Sequence, residues 1–422
     1  SDIQSYDWTL GDGTTATGEQ VTHSYTNSGQ FTGDLAVQNG TETDTASTGV
    51  RVGAPATFEV TVTSVDSEVT AGDSIGVTYE VTNTGDLRDT QALDFAVNGT
   101  TEDTETGVTL NGSETFSGQF SYTTGSVDTP AVSVAVSSAD DSETETVTVN
   151  EPASFDVTIT SVDSAVTEGE TITVSYELQN TGDVTDTQEI TFAVNGTAEG
   201  TASGVTLNGS ETFSGQFSYD TVAGDAPAVS VAVSSADDSA TKAVTVNEPA
   251  SFDVSITSVD SAVTEGETIT VVYEVTNTGD VADTQDIDFA VNGTTEDTAS
   301  GVTLNGSETF SDQFTYATTG GDAPAVSVAV SSADDSASAT VTVNEPAVFG
   351  VTLTSVNSTV TAVETITASY GVTNTGDVQA TQDIEFTVNG TAKGTESGVT
   401  LNGSETFSGQ FSYITSDADT PA

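Results

Sequence analysis

The chain has 422 residues, of which 65 are acidic and four basic (Arg51, Arg88, Lys242 and Lys393), for a formal charge of −61. No basic stripe exists to neutralise phosphate, which excludes nucleic acid as a partner. With neither Cys nor Met, disulfides are excluded, and no apolar run is long enough to cross a membrane. Because 34% of the chain is hydrophobic and regularly alternating, it is a folded acidic protein rather than a disordered acidic tail.

In chain order, residues 1–53 come first and stand apart. They carry Ser5-Tyr6-Asp7-Trp8-Thr9-Leu10-Gly11-Asp12-Gly13, then Val21-Thr22-His23-Ser24-Tyr25 and Gly29-Gln30-Phe31, with His23 expected in an alternating strand and Trp8 in the core. From residue 54 a unit of 97 residues recurs, marked by Phe58, Phe155, Phe252 and Phe349. A strict period of this length predicts tandem domains: 54–150, 151–247, 248–344 and 345–422.

Within the first unit, Phe58, Val60, Val62 and Val65 alternate with polar residues, as do Ile75, Val77, Tyr79 and Val81. The pattern returns at Leu93–Val97, Val108–Leu110, Phe116–Tyr122, Val132–Val136 and Val147–Val149. Period two predicts half-buried strands, here seven. Turn chemistry separates them at Asn83-Thr84-Gly85-Asp86, Asn98-Gly99, Asn111-Gly112 and Asp140-Asp141-Ser142. Both Asn-Gly pairs suggest type I′ hairpins, which need positive φ. The fold class that follows is all-β: tandem immunoglobulin-like antiparallel sandwiches, without the Cys pair or core Trp of antibody domains.

The aromatic followed by Gly11-Asp12-Gly13 and the His23-x-Tyr25 stretch resemble a PKD-type domain, partial here. Tyr79 to Asp86, followed by Val108 to Phe116, resembles the CARDB family of cell-adhesion-related Ig-like domains, a likeness that spans residues 54–422. Both families imply extracellular spacer modules in long surface proteins, with no reaction and no reactive site. Scarce Lys, with abundant Asp, Glu, Thr and Ala, resembles haloarchaeal proteins. At molar salt the Debye length shrinks to about 3 Å, so a carboxylate-covered domain no longer feels most of its own repulsion.

Successive units join through Val-Asn-Glu-Pro-Ala, at 149–153, 246–250 and 343–347. Pro152, Pro249 and Pro346 fix φ there, which predicts stiff joints and a semi-rigid rod of beads. Ala422 corresponds to Ala131, so the fourth unit should lack the equivalents of the last two strands, 132–150, and the first domain its opening strands. Completion by further polypeptide is favoured over strand exchange between copies, and any targeting or anchoring signal is expected outside this window.

Ten N-glycosylation sequons begin at Asn39, Asn98, Asn111, Asn195, Asn208, Asn292, Asn305, Asn357, Asn389 and Asn402. Eight of these are two turns recurring in each unit, and although a hairpin explains Asn-Gly, it does not explain the Thr or Ser that follows. Asp140-Asp141, Asp237-Asp238 and Asp334-Asp335 lack a calcium-loop ligand set and read as solvated turn residues. Gly11-Asp12-Gly13 likewise reads as a turn. His23 has no Cys partner for zinc, and no Ser or Thr shows the base that an activated nucleophile needs, so no catalytic residue, metal site or cofactor is expected. Lys242 and Lys393 occupy non-equivalent positions, which excludes a repeated Lys–Asn cross-link.

The reading that results is a structural rod or spacer in an extracellular filament or surface fibre of a halophilic archaeon, with self-association between neighbouring copies and covalent N-glycans as its expected partners. The alternatives are an adhesin stalk whose binding tip lies outside this window, and the accessory region of a secreted hydrolase.

Overall fold

The computed structural model describes residues 2–419; Ser1 and the last three residues of the expected fourth unit lie outside the described residues. The described residues form strands joined by turns, with two single turns of 3-10 helix, Ser126–Asp128 and Asp417–Asp419. By density of contacts the chain divides into two compact units. One is Ser1–Val162, Thr173–Phe217 and Ser230–Lys242, and the other Asp163–Ile172, Ser218–Val229 and Ala243–Ala422.

The first unit opens with β1 (Ser5–Thr9), β2 (Thr15–Thr17), β3 (Gly29–Gln38) and β4 (Thr43–Val52). They form one sheet in the order β2-β1-β3-β4, with every pair antiparallel. The first 97-residue repeat follows. Its strands are β5 (Phe58–Val65), β6 (Glu68–Thr70), β7 (Ser74–Asn83), β8 (Asp89–Val97), β9 (Thr100–Leu110), β10 (Thr115–Thr123), β11 (Ala131–Ser137) and β12 (Ser142–Asn150). A three-stranded sheet, β10-β7-β5, faces a five-stranded one, β6-β12-β11-β8-β9. In the second unit, the third repeat has the same two sheets and the same strand order.

Eight strands thus stand where alternation shows seven. The additional strand, β6, has three residues, too few to display a period, and it runs parallel to β12 with Val69 opposite Val149. Also, β9 begins at Thr100 rather than near Val108. Its first eight residues are exposed, so they carry no apolar alternation and are held by their ladder to β8 alone. Asn98 (φ 49°) and Gly99 (φ 80°) form the positive-φ pair expected of a type I′ turn. The Asn111-Gly112 turn does not: the positive φ there falls on Ser113, at 65°.

Alternation places one face of each sheet in the core. Phe58, Ile75, Val77, Val81, Leu93, Phe95, Val136 and Val147 are wholly buried, and each such side chain contributes about 1.5–3 kcal/mol of burial. At the centre Tyr79 stacks on Phe120 with ring centroids 5.0 Å apart, and Phe120 on Phe95 at 5.2 Å. The third repeat builds the same stack from Tyr273, Phe314 and Phe289.

The fourth repeat, in the second unit, departs from this plan. Its described residues form a three-stranded sheet (Phe349–Val356, Thr365–Asn374 and Thr406–Ile414) and a two-stranded ribbon (Ala380–Val388 with Thr391–Leu401). Among the described residues no pair equivalent to β11 and β12 covers them. Val60 is 5% exposed, but its counterpart Val351 is 56% exposed and Leu353 62%. The buried cluster correspondingly shrinks to Tyr370, Val372, Ile384, Val399 and Leu401.

Candidate functional site

The polar residues that recur every 97 positions converge at one edge of each sandwich. There β5 is an edge strand, and an edge leaves every second N–H unpaired. In the first repeat the turn between β11 and β12 supplies the acceptors. Phe58 N–H donates to Asp140 Oδ2 at 2.9 Å and Val60 N–H to Asp141 Oδ2 at 3.0 Å, and Val62 N–H reaches Glu143. Asp140 also accepts from Gln91 Nε2 at 2.7 Å, and Ser138 Oγ donates to the Phe58 carbonyl at 2.9 Å. Asp237 and Asp238 hold Phe155 and Val157 in the same way, as Asp334 and Asp335 hold Phe252 and Val254. These acidic pairs are turn residues that stay exposed, apart from the half-exposed Asp238, and they also accept backbone N–H groups of the facing sheet. They belong to one sheet and close the edge of the other.

The electrostatics agree with that geometry. The hydrogen bond from Gln91, then that from Phe58 N–H, holds Asp140 below the ordinary carboxylate range. For Asp238 and Asp335 the leading causes are the N–H groups of Val157 and Val254. Hydrogen bonds to the charged form favour it. Among the described residues no group of three or more metal-ligating side chains is assembled.

A second recurring feature is Asn83, wholly buried although polar. Its Nδ2 donates to Leu87 O at 2.7 Å and Leu110 O at 3.2 Å, and its Oδ1 accepts from Thr57 N–H and Gly85 N–H. Its backbone bonds to Glu114 O and Ser113 N–H. Through its side chain and backbone together, this one residue ties four segments, satisfying the demand that buried polar groups be paired. Gly85 is required beside it: a Cβ there would lie 2.0 Å from Pro55 O. Asn180, Asn277 and Asn374 repeat the arrangement. Sequence reading placed Asn83 in a turn and missed its burial; its recurrence every 97 residues was the available signal.

The joints follow from this corner. Asn150 O, at the end of β12, accepts from Ala71 N–H in the first repeat, whereas Glu151 N–H donates to Asp183 Oδ2 in the next at 2.9 Å. Adjacent residues are thus anchored in successive sandwiches. Asn247 and Glu248 are held likewise, by Glu168 N–H and Asp280, as are Asn344 and Glu345, by Glu265 N–H and Asp377.

In residues 2–53, His23 lies in the loop between β2 and β3 rather than in a strand. It also has companions that sequence reading did not foresee. His23 Nε2 is 2.6 Å from Asp12 Oδ2 and 3.3 Å from Thr14 Oγ1, and Thr14 Oγ1 donates to Asp12 Oδ1 at 2.6 Å. Thr14 and Asp12 meet the same ring nitrogen, so the trio is a turn clasp and not a relay through two nitrogens. These contacts, Thr14 first and then His23, lower Asp12 to about 2. Trp8 is half-buried rather than fully enclosed, and its indole N–H donates to Gly18 O at 3.0 Å. Together with Leu10, His23, Tyr25 and Val50 it lines an open cavity of about 470 Å³.

Nine of the ten sequon asparagines are exposed, and Asn39 is half-buried. Asn98, Asn195, Asn292 and Asn389 sit at hairpin tips with φ of 48–49°. Asn111, Asn208, Asn305 and Asn402 lie beside the buried Asn83 and its copies. Asn357 accepts from Thr367 N–H at 3.0 Å.

These features define an all-β protein of tandem Ig-like sandwiches. Residues 1–53 match the family model described as the PKD domain. No curated protein matches the chain. Its fold is similar to the N-terminal eight Ig domains of Down Syndrome Cell Adhesion Molecule at 14% identity and a TM-score of 0.21, over 96% of this chain and 55% of that one. The chain therefore spans about half the length of that structure. An I-band fragment of titin is similar at 14% identity and a TM-score of 0.27, over 69% of this chain and 98% of that one. The fibronectin(III)-like modules of Clostridium thermocellum CbhA are similar at 14% identity and 0.20, over 45% and 94%.

Proposed function

We propose that the chain is a structural spacer of an extracellular filament or surface fibre, working in molar salt as in a halophilic archaeon, with residues 54–422 acting as CARDB-like beads. The observation that carries this reading is the joint: Asn150 belongs to one sandwich and Glu151 to the next. A linker without a free residue between its two anchors resists bending. The acidic surface supports the salt requirement, and the PKD match at residues 1–53 supports an extracellular setting. No helix among the described residues is long and apolar enough to cross a membrane.

Small-angle scattering in 3 M KCl tests the spacer role. A globule of this length would have a radius of gyration of about 22 Å. The expected value is well above that and stays constant with protein concentration. A value near that of the globule would overturn the reading.

A further inference from the structure

The two sequons that recur in the repeats differ in geometry and form two classes. In the first, at the tip between β8 and β9 and its copies in the second and third repeats, the carboxamide oxygen is occupied and the nitrogen is not. Asn98 Oδ1 accepts from Ser133 N–H at 3.0 Å, Asn195 Oδ1 from Ser230 N–H at 2.9 Å, and Asn292 Oδ1 from Ser327 N–H at 3.0 Å. No protein acceptor takes Nδ2 of these three among the described residues, and the Thr two positions on is exposed.

In the second class the nitrogen is engaged. Asn111 Nδ2 donates to Glu114 Oε2 at 2.9 Å, and the same oxygen accepts Asn111 N–H at 2.8 Å. Asn208, Asn305 and Asn402 are clasped identically by Glu211, Glu308 and Glu405. The turn behind them is locked as well. Ser113 N–H donates to the Asn83 carbonyl at 2.8 Å, and a Cβ at Gly112 would lie 2.6 Å from Asp86 O.

We propose that the folded chain accepts N-glycan at the hairpin-tip asparagines Asn98, Asn195 and Asn292 and refuses it at the clasped Asn111, Asn208 and Asn305. The donor is a lipid-linked oligosaccharide. Asn98 Nδ2 forms a bond to the anomeric carbon, the C–O bond to the prenyl phosphate or pyrophosphate breaks with its electron pair, and the amide gives one proton to a base of the transferase. An amide nitrogen already donating to a carboxylate, in a turn pinned to the core, cannot be drawn into a transferase site without opening that corner. At the tips the backbone N–H and the carboxamide oxygen are both taken, by Ser133 and its copies, but the carboxamide nitrogen has no acceptor among the described residues and the residue is exposed. The inference rests on the surface reading only for its setting, because a transferase in vitro meets the folded chain directly.

The test uses an oligosaccharyltransferase that modifies both classes in the denatured chain, offered the folded chain with its lipid-linked donor and read by glycopeptide mass spectrometry. Occupancy at Asn98, Asn195 and Asn292 should exceed that at Asn111, Asn208 and Asn305 by tenfold or more. Glu308→Ala should raise occupancy at Asn305 while leaving Asn111 low. Equal occupancy of the two classes in the folded chain, or modification of neither, overturns the proposal even where the chain proves to be a surface spacer. A chain that shows the tenfold preference but a globular radius of gyration keeps the proposal and loses the spacer reading.

Discussion

Asp140 Oδ2 lies 2.9 Å from the backbone nitrogen of Phe58, 82 positions earlier in the chain. The two residues belong to opposite sheets, so one ionised carboxylate joins the layers of the sandwich and also covers an edge that would otherwise pair with another strand. The most acidic feature of the sequence is therefore, in part, structural.

Acid should open that edge. Asp140, Asp238 and Asp335 are depressed by hydrogen bonds to the charged form. A depressed carboxylate contributes stability that is present above its unfolded value, about 3.9, and lost as pH falls through the lower folded value. In 3 M KCl, circular dichroism should show stability falling below about pH 4. Replacing Asp335 by Ala should lower the melting midpoint at neutral pH and flatten the acid dependence of the third repeat. An unchanged acid profile would refute the edge-clamp account.

Alkali should act on the third repeat first. Tyr273 is buried with its hydroxyl unpaired among the described residues, and it is pushed up to about 12 by burial and then by Asp312 and Asp297. In the first two repeats Gly118 and Gly215 stand where the third has Asp312. A raised folded value means stability that is complete below about pH 10 and lost as pH rises toward the folded value. Tyr79, Tyr176 and Tyr370 are raised by burial as well, so tyrosinate absorbance should show several late-ionising phenols with Tyr273 the latest, and Asp312→Gly should move that one to lower pH.

The buried asparagine should be indispensable within its own bead. Asn277→Ala leaves Ser251 N–H and Gly279 N–H without their acceptor. The expected cost is about 2–4 kcal/mol, since buried groups left unpaired cost their full desolvation. Hydrogen exchange followed by mass spectrometry should show faster exchange across 248–344 and little change in 54–150.

Salt should stabilise every repeat. With a charge of −61, lowering KCl from molar to about 0.1 M lengthens the Debye length from about 3 to about 10 Å and exposes each sandwich to its own repulsion. Melting midpoints should fall across that series, and a constant or rising midpoint would contradict it.

The exposed face of the fourth repeat, at Val351 and Leu353, should be covered when the hairpin of another repeat is appended. Appending a copy of residues 326–344 after Ala422 places Val-Ser-Val-Ala-Val and an Asp-Asp turn in register with the other repeats. Exchange at Val351 and Leu353 should slow strongly, and the melting transition of this repeat should rise toward that of the third.

The sequence by itself determined the repeat, the sandwich class, the hairpin tip at Asn98-Gly99 and the core parity of residues such as Val77 and Phe95. Each is a local or periodic property: side chains two apart share a face, and a positive φ selects Asn-Gly. Only the tertiary structure decided what the recurring polar residues do. Asp140 reads only as a solvated turn, and its second role is not legible because its partner, Phe58 N–H, is distant in the chain and main-chain donors leave no mark in a sequence. Asn83 reads as a turn residue for the same reason, although four segments meet on it. The sequons at Asn98 and Asn111 are alike as strings. They differ because one carboxamide meets Ser133 through its oxygen and the other meets Glu114 through its nitrogen, a distinction that exists only once the two sheets have packed.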